Sequence, residues 1–161
     1  MTHGGSSLRE VQELLAVLAV GKRVGEAGTA FGEGAAAMAA TARSVVTVEC
    51  DPERAAIAED RLRSLANVEL LVGEWQELLP PRAPFELLFH DAGDFKRAPV
   101  ESGELVLSLL APGGLLVVDD MTSGRPELDP IREWVSGHPL LRATEVLTTP
   151  RLTALLIARC S

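Results

Sequence analysis

Between Arg23 and Ala40 the chain reads Arg-Val-Gly-Glu-Ala-Gly-Thr-Ala-Phe-Gly-Glu-Gly and then an alanine-rich run. A short apolar segment ends at Glu26, a turn carries Gly28, Gly32 and Gly34, and a helix-forming block follows. That order predicts a strand, a tight loop and a helix N-terminus. Glycine lets backbone approach a ligand closely, and unpaired N–H groups at a helix start favour anionic or polar ligand atoms. The spacing is Gly-x-x-x-Gly, not the Gly-x-Gly-x-x-Gly of a dinucleotide pyrophosphate loop. No Gly-Lys-Ser/Thr follows for a nucleoside triphosphate.

The same alternation continues along the chain. Ahead of it, Leu8, Val11, Leu14 or Leu15, and Leu18 recur at helical spacing, with Ser6 or Ser7 as a cap and Glu10 in reach of a capping box. Ser44 to Cys50 is β-branched and almost continuously apolar, as a strand covered on both faces is. Asp51-Pro52 is a helix start, and Ala55, Ala58, Leu62 and Leu65 form the buried face of that helix. Strands are expected at 68–72, 85–90 and 115–119, with a helix over 100–110 closed by Ala-Pro-Gly-Gly. A helix over 130–137 follows. Strands over 142–148 and 152–160 are then joined only by Thr149-Pro150-Arg151, a link that demands an antiparallel hairpin. Five β/α units and a hairpin predict an α/β fold. It is a Rossmann-like, doubly wound, seven-stranded sheet, mostly parallel with an antiparallel C-terminal strand.

At 161 residues one domain is expected over 1–161, with 1–21 as a short N-terminal helical segment. A net charge of −8 argues against a surface that tracks phosphates, so nucleic acid is excluded as the first choice of partner. The apolar run 14–20 is too short to span a bilayer, Glu10 and Glu13 stand where a signal peptide wants positive charge, and Lys22-Arg23 follow. No membrane association is expected. Cys50 and Cys160 show neither a close pair nor metal-ligand spacing, and are read as buried thiols in a reducing compartment, the cytoplasm.

Five blocks together resemble the class I S-adenosylmethionine-dependent methyltransferases, and within them the small-molecule O-methyltransferases of the catechol and caffeoyl-CoA type. They are Glu-Ala-Gly-Thr-Ala-Phe-Gly (26–32), Val-Thr-Val-Glu-Cys-Asp-Pro (46–52), Gly-Glu-Trp (73–75), His-Asp-Ala (90–92) and Ala-Pro-Gly-Gly-Leu-Leu-Val-Val-Asp-Asp (111–120). The resemblance covers the chain from Leu8 to Cys160. It implies methyl transfer from S-adenosylmethionine to an oxygen of a small-molecule acceptor. Ligands of open α/β sheets bind beyond the carboxyl ends of the strands, where the strand order reverses.

The resemblance also implies roles. Gly28, Thr29 and Gly32 permit close approach of the cofactor, and Glu26 lies near its methionine ammonium. Glu49, with Cys50 beside it, takes the two ribose hydroxyls. Gly73, Glu74 and Trp75 border the adenine, and Asp91 borders the cofactor. Bland readings stand beside these: Glu49 as an exposed strand-end acid, Glu26 as a salt-bridge partner of Lys22 or Arg23, Trp75 as core, and His90 as a packed core histidine.

In the resembled enzymes an Asp after the fourth strand and an Asp-Asn pair after the fifth hold a divalent ion. Asp91 and Asp119 match, and Asp120 replaces the Asn. Three carboxylates suit Mg²⁺ or a similar hard cation, which would lower the pKa of a substrate hydroxyl. The family's lysine base has Asp94 at its place here and Lys96 two residues later. Lys96 and Asp94 are therefore the rival bases, with Asp91 beside them. The N-terminal region has one helix where the family carries more, so the substrate side is open or is completed by a second subunit of a homodimer. Two alternatives remain: transfer to nitrogen, carbon or a macromolecule, and a cofactor-binding protein that has lost catalysis. A nicotinamide oxidoreductase needs a tighter glycine fingerprint than Gly28-Thr29-Ala30 supplies.

Overall fold

The structure is a computed structural model that describes residues 7–124 and 129–160. Seven strands form one sheet in the order β3-β2-β1-β4-β5-β7-β6. They are β1 (Arg23–Ala27), β2 (Ser44–Glu49), β3 (Val68–Val72), β4 (Phe85–His90), β5 (Leu110–Thr122), β6 (Leu141–Leu147) and β7 (Leu152–Arg159). The first five run parallel, and β7 pairs antiparallel with both β5 and β6. The strand order reverses between β1 and β4, and their carboxyl ends, Ala27 and His90, stand opposite each other in register.

Alternation along the strands builds a core on each face. Leu87 and Phe89 point to the side covered by α1 (Arg9–Leu18), α2 (Glu33–Ala39) and α3 (Pro52–Leu62), against Leu15, Met38 and Leu62. Leu88, Leu116 and Val118 face the other side. There they meet residues of α4 (Trp75–Leu78), α5 (Gly93–Arg97), α6 (Pro99–Leu109) and α7 (Pro130–Gly137), among them Trp75, Phe95, Val106 and Ile131. Asp51 caps α3 by accepting from the Glu53 and Arg54 N–H groups, with Pro52 at the first helical position.

Several expectations are corrected. The N-cap of α1 is Leu8, without a side-chain cap, and Leu8 is exposed where an inward position was expected. Ser6 lies outside the described residues. Residues 93–97, for which no helix was predicted, form α5. The Ala-Pro-Gly-Gly stretch belongs to β5, because Leu110 already pairs with Phe85 before a bulge. Cys50 is exposed and Cys160 half-buried, so neither is the buried thiol expected. Among the described residues no helix is long and apolar enough to cross a membrane.

Candidate functional site

The carboxyl ends of β1 to β5 open onto one cavity of about 550 Å³, a volume that suits a nucleoside-sized ligand. The β1 turn contributes Gly28 and Ala30, and β2 contributes Glu49 and Cys50. The β3 turn brings Gly73, Glu74, Trp75 and Gln76, the β4 end brings Asp91, Asp94, Lys96 and Arg97, and β5 brings Asp120. Glu26, Thr29, Gly32 and Asp119 do not reach the cavity wall. Gly32 instead begins α2 and packs on Ala58 and Leu62 of α3.

The glycine turn is tied to its neighbours and is not a row of free donors. Gly28 and Thr29 both donate to the Val48 carbonyl, at 2.9 and 3.1 Å, and Gly32 N–H donates to Thr29. Asp91 and Ala92 both donate to the Ala27 carbonyl. That draws β4 so close that a Cβ on Gly28 would sit 3.2 Å from the Ala92 nitrogen, and Gly28 also holds φ +96°. Glycine is required there for both reasons. In this turn the N–H groups of Gly28, Thr29, Ala30 and Gly32 are therefore already engaged within the protein.

Glu49 is 5% exposed, so the reading of an exposed strand-end acid does not hold. Its Oε2 accepts from Ala30 N–H at 2.7 Å and its Oε1 from Asp51 N–H at 3.0 Å. An ionised carboxylate has about four lone-pair sites, so capacity for two hydroxyls remains. Glu26 is buried and forms no salt bridge with Lys22 or Arg23. Thr47 Oγ1 donates to its Oε2, and Thr29 Oγ1 meets Thr47 Oγ1 at 2.5 Å. Burial, reinforced by the charges of Asp91, Glu49 and Glu33, lifts the Glu26 carboxyl to about 8 against the hydrogen bond from Thr47.

On the β3 side, Trp75 is 4% exposed. Its Nε1 donates to Asp94 Oδ2 at 3.0 Å, and Gln76 Nε2 donates to the same oxygen at 2.7 Å. A carboxylate oxygen only accepts, so the Gln76 amide must present its nitrogen to Asp94. The remaining acceptors, Asp94 Oδ1 and Gln76 Oε1, are buried without a hydrogen-bond partner. Both residues line the cavity, but these two oxygens lie beneath its surface, so a ligand with N–H or O–H donors meets them only if the side chains turn outward. His90 is fully buried behind this wall, edge-on to Trp75 at 4.7 Å between ring centroids and 4.8 Å from Phe95. Neither of its nitrogens has a partner of good geometry, although the Ala92 backbone weakly favours the charged form. Burial holds its pKa down at about 4.

On the β5 side, Lys96 Nζ lies 2.9 Å from Asp91 Oδ1. Burial raises the Asp91 pKa against the pull of Lys96, and burial with the charges of Asp120 and Asp91 lifts Asp119 to about 6. Asp120 is exposed and holds φ 59°, where the β5–β7 register breaks. Among the described residues no group of three His, Cys, Asp or Glu side chains is placed to hold a metal. Asp91, Asp119 and Asp120 are the carboxylates expected to hold a divalent ion. One carboxylate is paired with an ammonium, one is buried and one faces water, a donor set that does not fit a hard cation.

Sequence reasoning missed Gln76, Arg54 and Arg97. Gln76 directly follows Gly73-Glu74-Trp75 and was within reach of that motif. Arg54 and Arg97 carry no signal beyond charge.

Residues 25–121 match the model of a family described as a methyltransferase domain. The chain belongs to that family. This family member is 38% identical over 103 residues to the protein-L-isoaspartate O-methyltransferase of Ignicoccus hospitalis, covering 61% of this chain and 46% of that protein. It is 35% identical over 105 residues to the corresponding protein of Picosynechococcus sp., covering 64% and 45%. The methyltransferase-family chain therefore spans about half the length of the curated relatives it matches. Among solved structures, cofactor-bound Rv0187 from MTB aligns with a TM-score of 0.81 at 28% identity, over 97% of this chain and 83% of that one. The O-methyltransferase TomG from Streptomyces achromogenes, in complex with SAM, aligns with 0.80 at 25% identity, over 97% and 82%. The resemblance to class I S-adenosylmethionine-dependent methyltransferases stands on these matches.

Proposed function

We propose that the chain, as a single methyltransferase domain over 1–161, binds S-adenosylmethionine and transfers its methyl group to an oxygen of a small-molecule acceptor. The observation that carries this is the convergence of Glu49, the Gly28 turn and the Trp75–Gln76–Asp94 cluster on one cavity. Glu49 holds the ribose hydroxyls through its unused lone pairs. Gln76 and Asp94 turn their buried, unpartnered oxygens outward to receive hydrogens of the adenine amino group, and Glu74 and Cys50 flank the nucleoside. Gly28 and Ala92, closely packed, both line the cavity between these groups. Glu26, below the cavity wall, props the β1 turn through its hydrogen bond from Thr47. When bound, S-adenosylmethionine supplies an electrophilic methyl on a sulfonium, and the protein supplies orientation and exclusion of water.

The test is calorimetric titration of S-adenosylhomocysteine into the folded protein and into Glu49→Ala. Tight binding by the first and weakened binding by the second is the expected pair of results. A folded protein that binds nothing, or an affinity unchanged by the substitution, removes the proposal. The acceptor class rests on the O-methyltransferases among the structural neighbours and curated relatives. The names of the curated relatives keep a protein acceptor as the second reading, separated from the first by turnover on an isoaspartyl peptide. Cofactor binding without turnover on any acceptor would mark a protein that has lost catalysis.

A further inference from the structure

Lys96 and Asp91 form an ion pair on the cavity wall, with only 20% and 24% of their side chains exposed. The pair lies at the end remote from the ribose site. β2, β1, β4 and β5 are successive neighbours, and strands stand about 4.8 Å apart, so Glu49 and Asp120 are three strand spacings from each other. With the ribose on Glu49, an acceptor enters on the β4–β5 side, where Lys96 stands.

Few groups there are placed to activate an acceptor. The Lys96 ammonium is paired with Asp91, so it has no lone pair with which to take a proton. Asp94 Oδ2 already accepts from Trp75 and Gln76. Asp119 is buried off the wall, Asp120 is open to water, and His90 is sealed behind Trp75 and Phe95. Among the described residues there is no three-ligand metal cluster.

What the wall offers instead is positive charge. An ammonium has three donors and Asp91 takes one, which leaves two for an acceptor oxygen. Arg97 lines the same wall, and among the described residues it has no ion-pair partner. We propose that Lys96 stands in for a divalent ion, gripping the oxygen of an acceptor that arrives already ionised, a carboxylate or an acidic hydroxyl. This rests on the methyl-transfer reading above. In the step, the acceptor oxyanion forms a bond to the methyl carbon as the carbon–sulfur bond breaks and its electron pair goes to sulfur. A methyl ester or ether and S-adenosylhomocysteine result, and no proton moves.

The test uses 4-nitrophenol, whose ionised form absorbs in the visible, added near neutral pH to protein saturated with S-adenosylhomocysteine. The phenolate band is expected to grow on binding and to be reversed by excess benzoate. Lys96→Met should lower phenolate affinity roughly tenfold or more and abolish the spectral shift, whereas Lys96→Arg retains most of it. Both variants are checked by circular dichroism. Methylation of 4-nitrophenol should be indifferent to EDTA and to added Mg²⁺. An unchanged band with the wild-type protein, a wild-type shift in Lys96→Met, or chelator-sensitive methylation overturns the proposal. Failure of S-adenosylhomocysteine to bind in the first place overturns the methyl-transfer reading instead.

Discussion

Ala30 donates its N–H to Glu49 Oε2 across 2.7 Å, which fastens the turn after β1 to the end of β2. Glu49 thus does two jobs, shaping the wall of the cavity and offering its spare lone pairs to a ligand. Replacement by Gln keeps the size but turns an N–H donor toward one of two N–H groups that need an acceptor. Glu49→Gln is expected to lower stability by about 1–3 kcal/mol, the cost of one unsatisfied buried donor. It should also weaken S-adenosylhomocysteine binding by tenfold or more, through loss of a charge-assisted acceptor. Urea unfolding and calorimetry measure the two effects separately. Wild-type values in both would refute the dual role.

Glu26 sets a stability slope from mildly acidic to slightly alkaline pH. Its folded pKa of about 8 lies above the ordinary carboxyl value of 4.5. Between those values the folded state holds a proton that the unfolded chain releases, so stability falls as pH rises across that window and levels off above it. Asp119, lifted to about 6, adds to the fall in the lower part of the window. Glu26→Gln, neutral at every pH, should flatten most of the slope and leave the protein more stable than wild type near pH 9. Chemical unfolding midpoints measured from pH 5 to 9 test this, and an equal slope in the variant would exclude Glu26 as its source.

Much of this was legible from residue patterns. Strands β3 and β4 stand where largely apolar runs are bounded by turn residues, and the α3 start follows from Asp51-Pro52. The three-residue link Thr149-Pro150-Arg151 required the β6–β7 hairpin that is present. What was not legible lies between elements. Helix α5 is five residues long, too short to show a period, yet it decides where Lys96 points. Its ion pair with Asp91 engages one of the carboxylates expected to hold a metal, a contact no motif announces. Asp94 joins Trp75 from 19 residues away, so its removal from the list of free bases depends on how two turns meet. Cys50 was misread because an apolar strand context says nothing about the first residue beyond the strand.

His90 makes the protein sensitive to acid. Its folded pKa of about 4 lies below the ordinary 6.5, so the unfolded chain binds a proton in that window that the folded state does not. Stability is therefore full above about 6.5 and is lost as pH falls toward 4. His90→Phe keeps a ring between Trp75 and Phe95 and removes two unpartnered nitrogens. The variant should match or exceed wild-type stability at pH 7 and lose less of it by pH 4.5. Thermal melts at the two pH values decide the matter, and a parallel loss in both proteins would remove His90 as the cause.

The pair of unpartnered acceptors, Asp94 Oδ1 and Gln76 Oε1, should read the base of the cofactor. Adenine offers an amino group with two hydrogens, whereas hypoxanthine offers a carbonyl at the same position. Against the carbonyl, two buried acceptors would face a third acceptor, with no donor between them. A site built around hydrogen bonding rejects a ligand that leaves its buried polar groups unpaired far more strongly than an apolar pocket rejects a small change of shape. S-inosylhomocysteine is therefore expected to bind about a hundredfold or more weakly than S-adenosylhomocysteine, by competition calorimetry. Asp94→Ala should narrow that ratio by weakening the adenosyl ligand more than the inosyl one. It also strips the acceptor from Trp75 Nε1 and Gln76 Nε2, so the indole emission of the unliganded protein should change as well. Equal affinity of the wild-type protein for the two ligands would mean that these acceptors face something other than the base.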